Sequence, residues 1–193
     1  MARDGGEKSH STTPGLLIEL VPLTRAKANA YVLKHHRHND PVRSDFFRVG
    51  AAVNGALVAV CIAATPNAPE FQKVPTIAEV TRLCTDRTKN VGTKLLGAIR
   101  SAALALGYRR LVSYTRIDEP GTVYRAAGWW PTAKVPKKRR DTGNRRARYL
   151  PGMMPATKAE EIAHVRWETG PDAAPELSEL AHLGRRKGAA NAA

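Results

Sequence analysis

The stretch that decides the fold is CTDRTKNVGTKLLGAIRSAALALGY, residues 84–108. A polar loop leads, with no proline in between, into a long run of residues with high helix propensity. Gly107 follows that run, and glycine is the residue that most often comes directly after a helix. The stretch therefore predicts a helix from about residue 91 to residue 106, with Gly92 at its start.

The start of this predicted helix is a candidate anion site. The first N–H groups of a helix have no partner inside it and carry about half a positive charge. Gly92 would let an oxygen-rich group approach the backbone closely. Three cations lie nearby in the sequence: Arg87, Lys89 and Lys94. This arrangement suits a pyrophosphate, although an ordinary loop in which Asn90 or Asp86 caps the helix is the alternative.

The elements around the stretch predict an α/β fold with a mixed central sheet flanked by helices. Asn54-Gly55 separates the apolar runs FFRVGAAV and ALVAVCIAA, which is the strongest short-range signal for a β-hairpin. TIAEVTRLC, residues 76–84, predicts the strand before the loop, and YRRLVSYT, residues 108–115, predicts the strand after the helix. Thr24 is a candidate N-cap for an earlier helix. Helices between strands in this order indicate one α/β domain.

The chain of 193 residues suffices for one domain with tails. We predict a disordered lead over residues 1–14, the domain over residues 15–169 and a flexible tail over residues 170–193, because the tail is rich in Ala, Pro and Gly. HVRWE, residues 164–168, predicts a last strand at an edge of the sheet. No run approaches the roughly 18 apolar residues of a membrane span, and the N-terminus lacks a secretory signal, so we expect a cytoplasmic protein without a membrane partner.

The charge is unusual, because 31 Lys and Arg residues against 17 Asp and Glu residues give a net charge of +14. A surplus of this size predicts attraction to a polyanion. Residues 134–152 form a basic loop in which the cations crowd together. The candidate contacts to nucleic acid are Lys137, Lys138, Arg139, Arg140, Arg145 and Arg146. We expect DNA as the partner, and a merely solubilising role of these cations is the alternative.

Glu79 is a candidate general base. It lies between Ala78 and Val80 on a predicted strand, and a carboxylate that loses its hydration has a raised pKa, which suits removing a proton from an amine. An ion pair with an arginine is equally compatible with the sequence. Strict alternation along the strand would place Glu79, Thr81 and Leu83 on one face and Val80, Arg82 and Cys84 on the other.

Two sequence motifs resemble those of GNAT acyltransferases. Arg87-Thr-Lys-Asn90-Val-Gly92-Thr is similar to the acetyl-CoA signature of that family, in which Gln or Arg, two residues, Gly, one residue, and Gly or Ala precede a long helix. Asn90 stands where the first glycine is usual. Tyr124-Arg-Ala-Ala-Gly128-Trp resembles the later motif of Tyr, three residues, Gly and an aromatic residue. The resemblance covers roughly residues 16 to 135, includes the element order, and implies acetyl-CoA or another acyl-CoA as the donor.

The resemblance also implies roles for individual residues. The strand that ends at Leu83 and Cys84 would diverge from its neighbour, and its backbone would bind the pantetheine arm. Tyr124 would protonate the departing thiolate, since an ordinary phenol has a pKa of about 10; a purely structural place in the core is the alternative. The amides that would hold the pyrophosphate belong to Asn90, Val91, Gly92, Thr93 and Lys94.

The histidines of KHHRHNDP, residues 34–41, follow the first predicted helix. In GNAT folds this helix and the loop after it form one wall of the acceptor pocket, so the resemblance implies that His35 or His36 lines that pocket. Metal ligands on a helix are usually four residues apart, and the spacing here does not fit. We therefore expect no metal site.

A narrower resemblance joins the chain to Mom-type phage proteins, a divergent GNAT-fold branch that modifies adenine in DNA. It is carried by EVTRLCTDRTKN, residues 79–90, by the later SYT and GTVYRAAGW, and by Thr93 at the position of a serine. It implies an N-acyltransferase that acts on an amine of a DNA base. The alternatives are an acetyl-CoA-dependent N-acetyltransferase of a small amine or a protein lysine, and a non-catalytic DNA-binding protein with the same fold.

Overall fold

The structure is a computed structural model, and it describes residues 17–36, 40–136 and 163–185. The strands are β1 (Glu19–Val21), β2 (Phe47–Val53), β3 (Ala56–Ala64), β4 (Ile77–Thr85), β5 (Arg110–Arg116), β6 (Trp130–Val135) and β7 (His164–Thr169). The α-helices are α1 (Arg25–His35), α2 (Pro69–Gln72), α3 (Val91–Ala105) and α4 (Thr122–Ala126). The strands form one seven-stranded mixed sheet in the order β1-β2-β3-β4-β5-β7-β6, which confirms the predicted α/β architecture. Within these ranges, no helix is long and apolar enough to cross a membrane.

Local signals placed several elements correctly. Asn54 and Gly55 both have positive φ, +49° and +77°, as the predicted turn between β2 and β3 requires. The Thr24 side chain accepts a hydrogen bond from the Lys27 amide at 3.2 Å and caps α1. Gly107 has a φ of +89° directly after α3 has ended. These turns and caps are decided by short stretches of sequence, so they could be predicted without the rest of the fold.

Helices cover both faces of the sheet. On one side, here called the α3 face, α3 buries Leu95, Leu96 and Ile99 in the main core. On the other side, the α1 face, α1 packs Tyr31 and Val32 in a smaller cluster. The sheet is therefore buried on both sides in its centre, where β3 and β4 lie.

A β-bulge at Thr81 changes which side chains of β4 face which helix. Ile62 of β3 is opposite Arg82, and the next residue of β3 is opposite Val80, so Thr81 has no opposite residue on β3. As a result Val80 and Leu83 both pack in the core beneath α3, although they are three residues apart. The residues of the α1 face are Glu79, Arg82 and Cys84. The predicted strict alternation along this strand is therefore wrong.

Strands β4 and β5 diverge, as the family resemblance implied. They pair in parallel only from Ile77 to Val80 on β4 and from Arg110 to Ser113 on β5. Beyond that point β4 continues to Thr85 along β3, while β5 pairs with β7 up to Arg116. The edge of β4 that faces β5 is thus unpaired over its second half, which leaves an opening between the two strands.

The last strand is not at the edge of the sheet, so that prediction is wrong. Strand β7 is inserted between β5 and β6 and pairs antiparallel with both. Its side chains are buried on both faces, with Val165 and Trp167 in the main core and Glu168 fully buried opposite them. Strand β6 takes the edge of the sheet instead.

Residues 171–185, here called the C-terminal strap, are packed and not a flexible tail as predicted. The strap contains a short 3-10 helix, Ser178–Leu180. Leu180 is only 5% exposed and belongs to the main core, and the Leu177 amide donates to the Pro131 carbonyl at 2.8 Å. Its Ala, Pro and Gly residues allow an irregular backbone to lie close against the domain. The remainder of the predicted tail, residues 186–193, and the predicted lead, residues 1–14, lie outside the described residues.

Candidate active site

The start of α3 presents backbone N–H groups that nothing in the described part of the chain accepts. Asn90 precedes the helix with a φ of +65°, and its side chain makes no capping bond. The amides of Gly92 and Thr93 have no acceptor among the described residues, whereas the Lys94 amide bonds the Asn90 carbonyl at 3.0 Å. Asparagine is one of the few residues other than glycine that adopts a left-handed backbone. This explains how Asn90 can stand where the GNAT signature has glycine.

Neither side chain that the alternative invoked caps this helix. The Asp86 carboxylate accepts a hydrogen bond from the Thr88 amide at 2.8 Å, which closes a turn inside the loop. The helix start therefore keeps its partial positive charge and its free donors, which is the usual arrangement of a backbone anion site.

Gly92 is required by packing and not only by the approach of a ligand. A Cβ atom at this position would lie 2.8 Å from Cγ1 of Val123, close to the side chains of Leu83 and Thr85. The missing side chain thus lets α4 contact α3, and it brings the free amides next to the second half of β4. Val123 occupies the space that a side chain at this position would need, while the close approach of an oxygen-rich group to the Gly92 backbone stays a prediction.

The three cations near the start of α3 differ in what they contact. The ammonium of Lys94 donates to the Ile18 carbonyl just before β1, so it stabilises the first strand. Arg87 and Lys89 are exposed beside the start of α3, and Arg87 has a φ of +77°. Arg87 and Lys89 therefore remain available to an anion at the helix start.

Tyr124 lies in the core and its hydroxyl reaches the point where β4 and β5 separate. The residue is 7% exposed, and its ring stacks on Trp167 with 5.4 Å between ring centroids. Its hydroxyl is 2.9 Å from Oγ of Ser113, and Ser113 in turn donates to the Val80 carbonyl at 2.9 Å. Because Ser113 has only one proton to donate, the Tyr124 hydroxyl is the donor in its contact with Ser113. Val80 is the last residue of β4 that pairs with β5.

Burial determines the protonation state of Tyr124. Removal from water raises the pKa of its hydroxyl well above the ordinary phenol value. The phenol therefore keeps its proton throughout the physiological pH range. It is suited to donate a proton and not to remove one.

The two β4 residues expected beside the donor face opposite sides of the sheet. Leu83 packs in the core beneath α3 and near Gly92, whereas Cys84 is buried on the α1 face. Burial raises the pKa of the Cys84 thiol to about 11, so this thiol is neutral. The backbone of both residues lies in the half of β4 that β5 leaves unpaired, as an added strand would require.

Glu79 is buried on the α1 face and bound by a loop asparagine. It is 4% exposed, and both the Asn67 amide and the Asn67 side-chain nitrogen donate to its carboxylate at 2.7 Å. Burial raises the pKa of Glu79 above its usual value, while the two Asn67 bonds and the charge of Arg82 lower it in part. The Arg82 guanidinium bonds the carbonyls of Asp40 and Thr81 instead. The alternative of an arginine ion pair is thus replaced by an asparagine clamp.

His36 lies at the C-terminal end of α1. Its backbone N–H donates to the Val32 carbonyl at 2.8 Å, and its side chain is half-buried. The ring of His35 stacks on Tyr31, 4.3 Å between centroids. Because α1 covers the face that carries Glu79, the predicted place of His36 in the acceptor pocket is compatible with the fold. That place, and the catalytic role we predict for His36 there, stay predictions.

Sequence reasoning missed Ser113 and Asn67. Ser113 is part of the SYT run, and only the register between β4 and β5 reveals that it connects Tyr124 with Val80. Asn67 lies in a loop with several prolines, twelve residues before Glu79, and no local signal joins the two. The six predicted nucleic-acid contacts, residues 137–146, lie outside the described residues. Over the described ranges, no cluster of His, Cys, Asp and Glu is able to hold a metal ion.

Solved structures of acetyltransferases share this fold. An acetyltransferase of Bacillus subtilis in complex with CoA is 16% identical, with a TM-score of 0.54 over 80% of this chain and 98% of that one. The ribosomal-protein-S18-alanine N-acetyltransferase of Escherichia coli is 14% identical, with a TM-score of 0.55 over 83% and 97%. The ribosomal-protein-alanine N-acetyltransferase of Brucella melitensis is 13% identical, with a TM-score of 0.54 over 80% and 99%. Comparison with family models and with curated proteins finds no match.

The level of identity sets what the structural matches establish. At 13–16% identity the likeness shows a common fold. The chain therefore has the fold of GNAT acetyltransferases, as its two motifs implied.

Proposed function

We propose that the chain is an acyl-CoA-dependent N-acyltransferase whose acceptor is an amine of a DNA base, in a phage or mobile-element setting like that of the Mom-type branch. The observation that carries the proposal is that three binding features border one opening. The free amides of α3 lie beside the unpaired half of β4 through Gly92. The hydroxyl of Tyr124 reaches the inner end of the same opening through Ser113.

The residues at the opening fit an acyl-CoA along its length. The amides of Gly92 and Thr93, with Arg87 and Lys89 beside them, suit the pyrophosphate. The unpaired edge of β4 offers backbone donors and acceptors to the amide groups of a pantetheine arm. When bound, an acyl-CoA supplies the acyl group as a thioester. One structural neighbour was solved with CoA, which supports the same donor here.

The protein groups divide the proton transfers between them. Transfer forms a carbon–nitrogen bond and breaks the carbon–sulfur bond, so the nitrogen loses a proton and the sulfur gains one. Tyr124 keeps its proton at neutral pH and donates it towards the sulfur. Glu79, with its raised pKa, is the candidate acceptor of the proton from nitrogen. An exocyclic base amine is hardly basic, so Glu79 acts after attack has made that nitrogen acidic.

The charge of the chain supports DNA as the acceptor. The cations of the basic loop, residues 134–152, begin in the last residues of β6 and continue beyond that strand in the sequence, and the whole chain has a net charge of +14. Phosphate contacts by such cations supply most of the affinity for DNA and make it dependent on salt. We therefore also propose these residues as the DNA-binding surface.

A protein or small-molecule amine is the second candidate acceptor. It is favoured by two structural neighbours whose names specify alanine of ribosomal proteins as the residue acetylated. The two acceptors predict different products, because only the first leaves a mark on DNA. A non-catalytic DNA-binding protein predicts neither product.

Mass spectrometry of nucleosides tests the proposal. DNA from cells that express the chain should contain a nucleoside with an added acyl group, and DNA from cells that express Tyr124→Phe should not. The Phe variant keeps the stacking on Trp167 and removes only the proton donor. Its affinity for DNA should equal that of the unchanged protein at every salt concentration.

Other outcomes point to the alternatives. Unmodified DNA together with acyl transfer to a peptide or small amine would establish the second acceptor. If calorimetry detects no binding of acetyl-CoA, other acyl-CoAs or free CoA, the acyltransferase proposal is wrong. DNA binding without turnover would then leave the non-catalytic protein.

A further inference from the structure

We propose that the C-terminal strap, residues 171–185, is a positioning element that fixes α4 and thereby places the Tyr124 hydroxyl at the opening between β4 and β5. The inference rests on the proposed function for its catalytic meaning. Its structural content, that the strap determines where Tyr124 lies, can be measured without any turnover.

Helix α4 is too short to be stable by itself. It has five residues, and its N-cap, Gly121, makes no side-chain capping bond. Isolated helices below about 12 residues are marginal in water, so contacts from outside must hold α4 in place. On one side of α4 the Tyr124 ring packs against Trp129 and Trp167. The strap lies against the other side.

Arg125 is the residue that joins α4 to the strap. Its guanidinium donates twice to the Leu183 carbonyl, at 3.1 and 3.0 Å, and once to the Ala181 carbonyl at 3.0 Å. It also forms an ion pair with Glu176 at 2.7 Å. All three partners belong to the strap. Arg125 follows Tyr124 directly in α4. A guanidinium fixed on one side of this helix therefore restricts the position of the Tyr124 phenol on the other side.

The strap is attached to the sheet independently of α4. The Asp172 carboxylate accepts two hydrogen bonds from Arg109, at 2.8 and 2.9 Å. The Ala174 amide donates to buried Glu168 at 2.8 Å, and the Ala174 carbonyl accepts from the Trp130 indole at 2.6 Å. Contacts to Arg109 just before β5, to β6 and to β7 therefore set the position of the strap, and Arg125 transmits that position to α4.

The strap also passes close to the first turn of α4. Gly184 has a φ of +73°, and a Cβ there would lie 2.7 Å from Cβ of Arg125 and 3.0 Å from the Gly121 carbonyl. Only glycine satisfies both the backbone conformation and the close approach. The backbones of the strap and of the first turn of α4 thus lie directly against each other, in addition to the hydrogen bonds of the Arg125 side chain.

Catalysis depends on this placement more than donor binding does. A proton donor must lie within hydrogen-bond reach of the atom that receives the proton, and a misplacement of about 1 Å can cost about 100-fold in rate. The proposed donor-binding groups are on α3 and β4, which the strap does not contact through Arg125. Loss of the arginine contacts should therefore lower kcat and leave the affinity for acyl-CoA almost unchanged.

Arg125→Ala, with Arg100→Ala as the matched control, tests the inference. Arg100 is an exposed arginine of α3. We expect Arg125→Ala to lower kcat about 10- to 100-fold, to change the acetyl-CoA Kd by less than about twofold, and to accelerate hydrogen exchange of the α4 amides without affecting the β2–β3 hairpin. Arg125→Lys, which keeps the charge but not the planar fork, should give an intermediate kcat. Arg100→Ala should behave like the unchanged protein.

A structural readout separates this inference from the proposed function. With 3-fluorotyrosine incorporated, the resonance of Tyr124, identified by its loss in Tyr124→Phe, should shift in Arg125→Ala and not in Arg100→Ala. If the unchanged protein neither binds nor turns over an acyl-CoA, the proposed function is wrong while the resonance and the exchange of α4 still decide the role of the strap. An unshifted resonance with unchanged α4 exchange would overturn the inference, as would a kcat loss matched by an equal loss of folded protein.

Discussion

Two glutamates are buried on the same face of the sheet, and their pKa values are shifted in opposite directions. Glu168 of β7 is 0% exposed and Glu79 of β4 is 4% exposed. Burial alone would raise the pKa of Glu168, but hydrogen bonds from Arg110, the Ala174 amide and Thr132, together with the charge of Arg110, outweigh it and bring the pKa below the usual value. For Glu79 burial prevails, and the pKa is raised.

The difference shows what each carboxylate is able to do. Glu168 receives the forked guanidinium of Arg110 at 2.7 and 2.8 Å and a contact from Arg166 at 2.8 Å. It therefore remains ionised and joins β5, β6 and the strap. Glu79 is held by uncharged donors of Asn67, so its charged and neutral forms are closer in free energy at neutral pH. A carboxyl group like that of Glu79 is suited to exchange a proton, whereas one like that of Glu168 is suited to stabilise the fold.

The largest effect should follow from Glu168→Ala. The variant leaves Arg110 and Arg166 close together with no counter-charge, and breaking a buried pair in this way costs about 3–5 kcal/mol. Urea unfolding at pH 7 measures the loss. Asp172→Ala, which removes the exposed pair with Arg109, is the control and should cost far less, because exposed ion pairs contribute little to stability. Equal losses in the two variants would contradict the assignment of Glu168 as the structural carboxylate.

The same variant should change the acid stability of the protein. Because the folded pKa of Glu168 lies below its unfolded value, its contribution is present above the unfolded pKa of about 4.3 and is lost as the pH falls through the folded pKa. The difference in free energy of unfolding between the unchanged protein and Glu168→Ala should therefore shrink in acid.

Glu79→Gln should show the reverse pattern, a large loss of activity with a small change of stability. We expect kcat to fall about 100-fold, because the base is removed. The free energy of unfolding should change by only about 1 kcal/mol, since one Asn67 hydrogen bond is lost while a buried charge disappears. Single-turnover kinetics and urea unfolding measure the two effects. Full activity in this variant would mean that Glu79 is buried for structural reasons alone.

The sequence predicted the parts of the molecule that neighbouring residues determine. The hairpin at Asn54-Gly55 and both ends of α3 follow from turn and cap residues within a few positions. The bulge at Thr81, the insertion of β7 and the packing of the strap depend on pairing between distant segments, so no local pattern revealed them. The strap is the clearest case, because an Ala- and Pro-rich composition is typical of disorder, and its fixed place comes from distant residues such as Trp130 and Glu168 and from the core around Leu180.

The candidate site divides in the same way. Tyr124 and the start of α3 are carried by short motifs, so their places could be predicted. The opening between β4 and β5 came from the family resemblance, and the pairing of the strands confirms it. Ser113 contacts Tyr124 because of the register between β4 and β5, and Asn67 reaches Glu79 from a loop. Neither contact follows from a local sequence pattern, so both roles required the three-dimensional structure.

The smallest and most specific effect should come from Asn67→Ala, which alters the environment of Glu79 and leaves the carboxyl group in place. The Asn67 side chain donates to the carboxylate at 2.7 Å and so lowers the pKa of Glu79. Its removal should raise that pKa further, and since a base must be deprotonated, the acidic limb of kcat/KM against pH should move to higher pH. Gln72→Ala removes a nearby side-chain amide at the end of α2 that donates to the Pro66 carbonyl, and it should leave the limb unmoved. A limb that shifts equally in both variants would reflect a general loosening of the loop, whereas a shift in Asn67→Ala alone would identify Glu79 as the group whose ionisation limits the rate.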